Sequence, residues 1–363
     1  VNKKRLHLID LVRLFSFTAI IHYHVISQIY TDTYAEPYDA KLHAGTLFGY
    51  IAEATKPFSF SGFSIIILSF FLFGRQTLSP QKTRRLYVLL ALGTVFLLVT
   101  GLDNSFSGIF WEWDIYEYLI VAIASVLLLQ RHPFFLKVCG ILGFLLTWIP
   151  FYLLADNAGI PLVVRSIFFG VCDNEGRGGW ALLPWIGLAW FSFYLGTLSV
   201  AAGLREKATR MQKNEKLFWG AALLASVFYW GEFYHVPLDQ NFYCFVFRRT
   251  PVVFWAHLIW IFFFIRLSLV EKINARLHEN RVVRWLSGLR LSTHFGLCYL
   301  LHLLYLFGGS YFADDFKVHL FAYDMFVLSV LPVTEIMARG VLYCASLKRP
   351  KRALVQSEGT TDV

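Results

Sequence analysis

Apolar residues run along the chain in blocks near twenty long, separated by short polar stretches rich in Lys and Arg. A helix of about 20 apolar residues reaches across the hydrocarbon of a bilayer. The pattern predicts ten spans, at about 8–30, 56–74, 86–102, 116–130, 136–155, 181–203, 217–235, 251–270, 293–312 and 320–343. Residues 31–55 are polar and then amphipathic, and are expected along the outer surface. Segment 271–292 is basic, with Ile273, Leu277, Val282, Trp285 and Leu289 at helical spacing. That pattern predicts a helix lying on the inner leaflet. The expected fold is all-α: a polytopic transmembrane helix bundle of about ten spans over 1–343, followed by a basic and polar cytoplasmic tail over 344–363.

Composition agrees with the pattern. Of 363 residues, 57% are hydrophobic, 18% aromatic and only 16% charged. Soluble domains carry about 25% charged residues, and disorder needs low hydrophobicity, so both classes are disfavoured. The net charge of +9 does not imply nucleic acid, because its basic residues sit in short loops. Of the 33 Lys and Arg, 23 fall at the N-terminus, in loops 75–85, 131–137, 204–216 and 271–292, and in the tail; six fall in the alternate segments. The positive-inside rule then puts both termini in the cytoplasm. The first apolar segment is long, contains charge and lacks a small-residue cleavage site, so no cleavable signal peptide is expected. Five cysteines show no metal spacing; Cys172 and Cys244, both in external segments, either pair or remain thiols. None of the histidines has a metal-binding spacing, and no metal is expected.

Ionisable groups inside a span are costly and call for a reason. The first span holds four: Asp10, Arg13, His22 and His24. At about 100° per residue, Arg13 and His24 lie roughly 20° apart on the helix, and Asp10 within roughly 60° of both. His22 points to the other side. Arg13 and His24 are separated by roughly 16 Å along the axis. A cation near the cytoplasmic mouth suits a phosphate-bearing donor, and a deeper histidine suits a general base on a hydroxyl or amine. The competing structural reading is an Asp10–Arg13 pair that locks the bundle, with His24 bonded to another helix.

These residues carry a resemblance. Asp10-x-x-Arg13, then ten residues, then His24 resembles the first-helix motif of the acyltransferase-3 family of membrane O-acyltransferases. The heparan-glucosaminide N-acetyltransferase type and the glucan succinyltransferases share much of it. KPFSFSGFS at 56–64 is similar to the segment opening the family's second span, and LSTHFGLCYLLH at 291–302 to its late S-x-x-x-Y-x-x-H helix. GWALLPWIGLAWFSFYLG at 179–196 is closer to the heparan-glucosaminide branch. Two positions differ from the family: Leu14 replaces a small residue, and no proline follows Arg84-Arg85.

The resemblance implies transfer of an acyl group, acetyl in the simplest case, from cytoplasmic acetyl-CoA (acyl-CoA) to a hydroxyl of an extracytoplasmic or lipid-linked glycan. The host membrane would be a bacterial inner (plasma) membrane, with lipid and a glycan or glycolipid acceptor as partners and no nucleic acid. His24 becomes the catalytic base, supported by Arg13 and Asp10. Arg13, Arg84, Arg85 and Ser61 are the candidates for the donor site. Trp111, Glu117, His257, Tyr299 and His302 are the candidates for the acceptor site. Ser61 with Gly62 also fits tight helix packing, Arg84 and Arg85 fit ordinary positive-inside residues, and Trp111 fits an interfacial aromatic belt. Glu335 and Arg339, four apart near the end of the last span, read as a structural pair. Two other functions compete: a transporter or exporter of a polar solute using the same stripe, and a non-catalytic scaffold of the same fold. The clustering of charge on one helix, with no matched pair of broken spans, disfavours the transporter.

Overall fold

The computed structural model describes residues 5–33, 61–76, 80–101, 115–149, 154, 159–169, 182–183, 185–201, 213–233, 251–313 and 320–347. Among these residues the regular structure is all helix, with no strand. In chain order the helices are α1 (His7–Thr33), α2 (Ser61–Gly74), α3 (Pro80–Gly101), α4 (Ile115–Gln130), α5 (Pro133–Leu146), α6 (Leu162–Phe169) and α7 (Trp185–Ala201). They continue with α8 (Lys213–Phe233), α9 (Pro251–Ser268), α10 (Glu271–Glu279), α11 (Arg281–Gly288), α12 (Arg290–Thr293), α13 (Phe295–Ala313) and α14 (Leu320–Leu347). Pro80, Pro133 and Pro251 each stand at the first residue of a helix, where a missing N–H costs nothing and the fixed φ is already helical. Within α14, Leu328–Ser346 is long and apolar enough to cross a membrane, and it is the one such stretch among the described residues.

Helix α7 packs against both α2 and α5, and small residues set the closeness of those crossings. Gly143 of α5 faces Gly187 of α7, and Gly74 of α2 faces Gly196 of α7; a methyl group on any of the four would strike backbone of the partner helix. Two glycines of the 179–196 stretch are therefore accounted for by helix contact. Polar side chains staple other pairs. Trp190 Nε1 donates to Ser125 Oγ at 2.8 Å between α7 and α4, and Trp260 Nε1 donates to Ser226 Oγ at 2.7 Å between α9 and α8. Arg266 of α9 forms a two-pronged ion pair with Glu215 of α8.

Helix α1 packs on α2, α9 and the short helices α10 to α12, with Ile9 and Phe17 fully buried in the shared core. Segment 271–292 differs from its expectation. It forms three short helices, not one, because Asn280 leaves the helical conformation and its side chain accepts the Val283 N–H to start α11. Val282 and Trp285 are exposed, whereas Ser287 is buried against α1. The last helix runs on to Leu347, four residues into the segment expected as a tail; the tail beyond Leu347, residues 34–55, and the candidate pair Cys172 and Cys244 lie outside the described residues. Cys139, Cys298 and Cys344 are free thiols.

Candidate functional site on the first helix

The helix α1 is continuous from His7 to Thr33, so Asp10, Arg13 and His24 do share one uninterrupted helix. Their helical phase therefore holds at the level of the backbone. The side chains of His22 and His24 lie outside the described residues.

Asp10 and Arg13 are both buried, Arg13 to 8% exposure. Their contact is loose: Arg13 Nη1 stands 3.8 Å from Asp10 Oδ1. Asp10 is bound more tightly by Arg5, whose Nε donates to Oδ2 at 2.6 Å. The Arg13 Nε is buried and has no hydrogen-bond partner among the described residues. A guanidinium carries five donors and cannot shed its charge, so burial with so little engagement leaves it open to an oxygen ligand. Arg13 lies within electrostatic reach of His294 and Cys298, at the start of α13.

One turn along α1, Phe17 meets α13 edge-on at Phe295 (5.3 Å between ring centroids) and at His302 (5.5 Å). Tyr299 lies against His302 at 4.9 Å, so two candidate acceptor residues of the late motif are brought together beside α1. Both are buried, His302 completely. Glu335 accepts the backbone N–H groups of Arg290 (2.7 Å) and Leu291 (3.1 Å) and also pairs with Arg339 Nε at 2.7 Å. The Glu335–Arg339 pair thus has the structural part expected of it. It also anchors α14 to the short helix leading into α13.

The remaining candidates are more scattered. Arg84 and Arg85 are exposed on the first turns of α3, which packs on α4 and α13. Ser61 opens α2, Glu117 lies in α4 and His257 in α9, but their side chains lie outside the described residues, as does Trp111 altogether. Among the described residues no group of three or more His, Cys, Asp or Glu is placed to hold a metal ion.

Several residues at the N-terminal end of α1 have roles the sequence reading did not assign. Asn274 of α10 accepts the His7 N–H at 3.3 Å and donates to the Arg5 carbonyl at 3.0 Å. Arg5 donates to the Ser287 carbonyl. The Ser287 hydroxyl donates to Arg284 O at 3.3 Å, so its oxygen is left to accept from His7 Nδ1, 2.8 Å away. His7 Nε2 is then the acceptor from His278 Nδ1 at 3.0 Å. Burial, and then the charges of Arg5 and His278, hold the His7 imidazole below its ordinary pKa. Asn280, a helix-starting residue in mid-segment, is the legible signal that this region breaks into separate helices.

No family model, curated protein or solved structure matches the chain.

Proposed function

We propose that the chain is an integral-membrane acyltransferase, with about ten spans and both termini in the cytoplasm. It moves an acyl group, acetyl in the simplest case, from cytoplasmic acyl-CoA to a hydroxyl of an extracytoplasmic or lipid-linked glycan. The membrane setting is supported by the charge asymmetry and by helix surfaces that expose large apolar side chains, such as Phe134 (71% exposed) and Ile336 (67%). Contiguous exposed apolar surface on a folded chain marks contact with lipid or with a partner.

The observation that carries the reading is the buried Arg13 with its unbonded Nε, on the same continuous helix as His24. The acyl-CoA thioester supplies the acyl group. His24 takes the proton of the acceptor hydroxyl as its oxygen bonds to the acyl carbon. The carbon–sulfur bond breaks, and the CoA thiolate leaves and is protonated. Arg13 donates to a donor oxygen, while Asp10 keeps a carboxylate close to that guanidinium. The sequence motifs supply the family reading, and the burial of Asp10 and Arg13 supports a site at that place.

The test is acceptor-dependent release of CoA by the purified protein, paired with mass spectrometry of surface glycans from cells with and without the gene. The expected result is loss of one acetyl increment per modified sugar when the gene is absent. Unchanged glycans together with no thioester cleavage overturn the reading and favour a transporter or scaffold.

A further inference from the structure

The short helix α11 turns a two-sided face outward. On a helix advancing about 100° per residue, Arg284, Arg281, Trp285 and Val282 follow one another round an arc of roughly 160°. All four are exposed, Val282 to 62% and Trp285 to 64%. The other side of the helix is occupied: Ser287 is buried on His7, and Leu286 packs against the core. Of the apolar residues that the sequence places on the inner leaflet, Ile273, Leu277 and Leu289 are half-buried, so the outward apolar surface of the segment narrows to Val282 and Trp285. Residues 271–293 hold five Lys and Arg against two acids, Glu271 and Glu279. Both acids lie on α10, and α11 has none. The contacts of Ser287 with Arg5 and His7 set α11 beside the first turn of α1. On the membrane reading above, that is where α1 enters the bilayer.

We propose that this arc is a docking surface for anionic phospholipid of the cytoplasmic leaflet. Arg281 and Arg284 meet the headgroup phosphates, and Val282 and Trp285 enter the layer just beneath, where an indole keeps its ring in apolar surroundings and its N–H among polar groups. The proposal rests on the membrane setting but not on acyl transfer. Charge favours lipid over a second copy of the chain: two such faces in contact would bring four arginines together with no acid on either helix to answer them. Ser287 carries the consequence inward. It ties α11 to Arg5, which is the closest partner of Asp10, so a leaflet that holds α11 also braces the polar start of α1.

The test is tryptophan quenching on the full chain in vesicles of phosphatidylcholine and phosphatidylglycerol, with brominated chains carried either by the phosphatidylglycerol or by an equal amount of the phosphatidylcholine. The signal of Trp285 is the difference between the parent and Trp285→Phe, a surface change. One basic residue at an anionic surface favours binding by about fivefold, so quenching is expected to be at least about fivefold stronger when phosphatidylglycerol carries the bromine. In the Arg281→Gln, Arg284→Gln double variant the two lipids are expected to quench alike, and salt at about 1 M is expected to narrow the preference of the parent. Equal quenching by both lipids in the parent overturns the assignment to anionic lipid. No quenching by either overturns docking on lipid altogether; if Val282→Ser then converts an oligomer to a monomer in detergent, the face belongs to a second copy. A chain that does not float with the vesicles overturns the membrane setting and this proposal with it. CoA release plays no part in the measurement, so failure of the acyltransferase reading leaves the lipid site standing.

Discussion

Replacing Gly143 by alanine tests the packing of α7 directly. A Cβ there would sit 2.1 Å from Gly187 O, 2.9 Å from Gly187 C and 3.0 Å from Gly187 Cα. All three are backbone atoms, so no side chain can swing aside. To restore ordinary contact at 3.4 Å, α5 and α7 must part by about 1.3 Å. Parting also loosens Gly140 against Tyr194, and Phe144 against Phe191 at 5.1 Å, on the same interface. Overpacking of this kind costs about 1–3 kcal/mol, against which alanine returns up to about 1 kcal/mol of helix propensity. Net of that gain the expected loss is about 0–2 kcal/mol against the parent, and about 1–3 kcal/mol against an alanine placed where it meets no clash. Gly220 of α8 is the matched control, because its Cβ would meet nothing within 4 Å. Gly220→Ala is expected to be neutral or to gain up to about 1 kcal/mol. Equilibrium unfolding in mixed detergent micelles, followed by tryptophan fluorescence, measures both. A Gly143→Ala protein as stable as Gly220→Ala would refute the close crossing, and with it the packing account of the 179–196 glycines.

His24→Ala is expected to reduce transfer by about 10²–10⁴-fold with unchanged yield of folded protein, while His22→Ala is much milder; equal loss at both in a CoA-release assay would overturn the helical-phase argument. Arg13→Lys is not expected to restore full activity, because a point charge cannot reproduce a planar fork in a buried site; turnover equal to the parent would show that charge alone matters. Burial holds His7 below its ordinary pKa of 6.5, so the folded state resists its protonation. The associated stability is complete above about pH 6.5 and is lost as pH falls through the lowered value. Melting temperature should therefore fall more steeply on acidification for the parent than for His7→Gln, and parallel curves would exclude this contribution.

Local pattern made the first helix legible. Asp10, Arg13 and His24 are related by the turn of one helix, and α1 is unbroken across all three. The Glu335–Arg339 pair was legible for the same reason, being one turn apart. What joins distant segments was not. Arg5 counted in the sequence as one of many charges that set topology, whereas in the fold it is the closest partner of Asp10 and reaches Ser287. Nothing near Glu335 in the sequence announces that it holds the backbone of Arg290 and Leu291. The apolar periodicity of 271–292 was real, but periodicity does not record a break; Asn280 does, through its side-chain bond to Val283. The glycine contacts of α7 were equally hidden, since a glycine in an apolar helix carries no sign of which neighbour approaches it.

The tie between Arg5 and Ser287 spans 282 residues of chain, and this sets a timetable for biogenesis. A ribosome adding about 5–20 residues per second needs about 14–56 s between the two. For that interval the first helix carries Asp10 and Arg13 with no α10, α11 or α13 to receive them. On the membrane reading proposed above, each charge left in lipid would cost a few kcal/mol. The contacts of Asp10 with Arg5 and, more loosely, with Arg13 are the local relief that the nascent helix owns. Closure of the polar face is therefore a late step of assembly. On the same reading, a chain stalled or cleaved before residue 270 would leave Arg13 with Asp10 alone, exposed to whatever surveys the membrane for incomplete proteins.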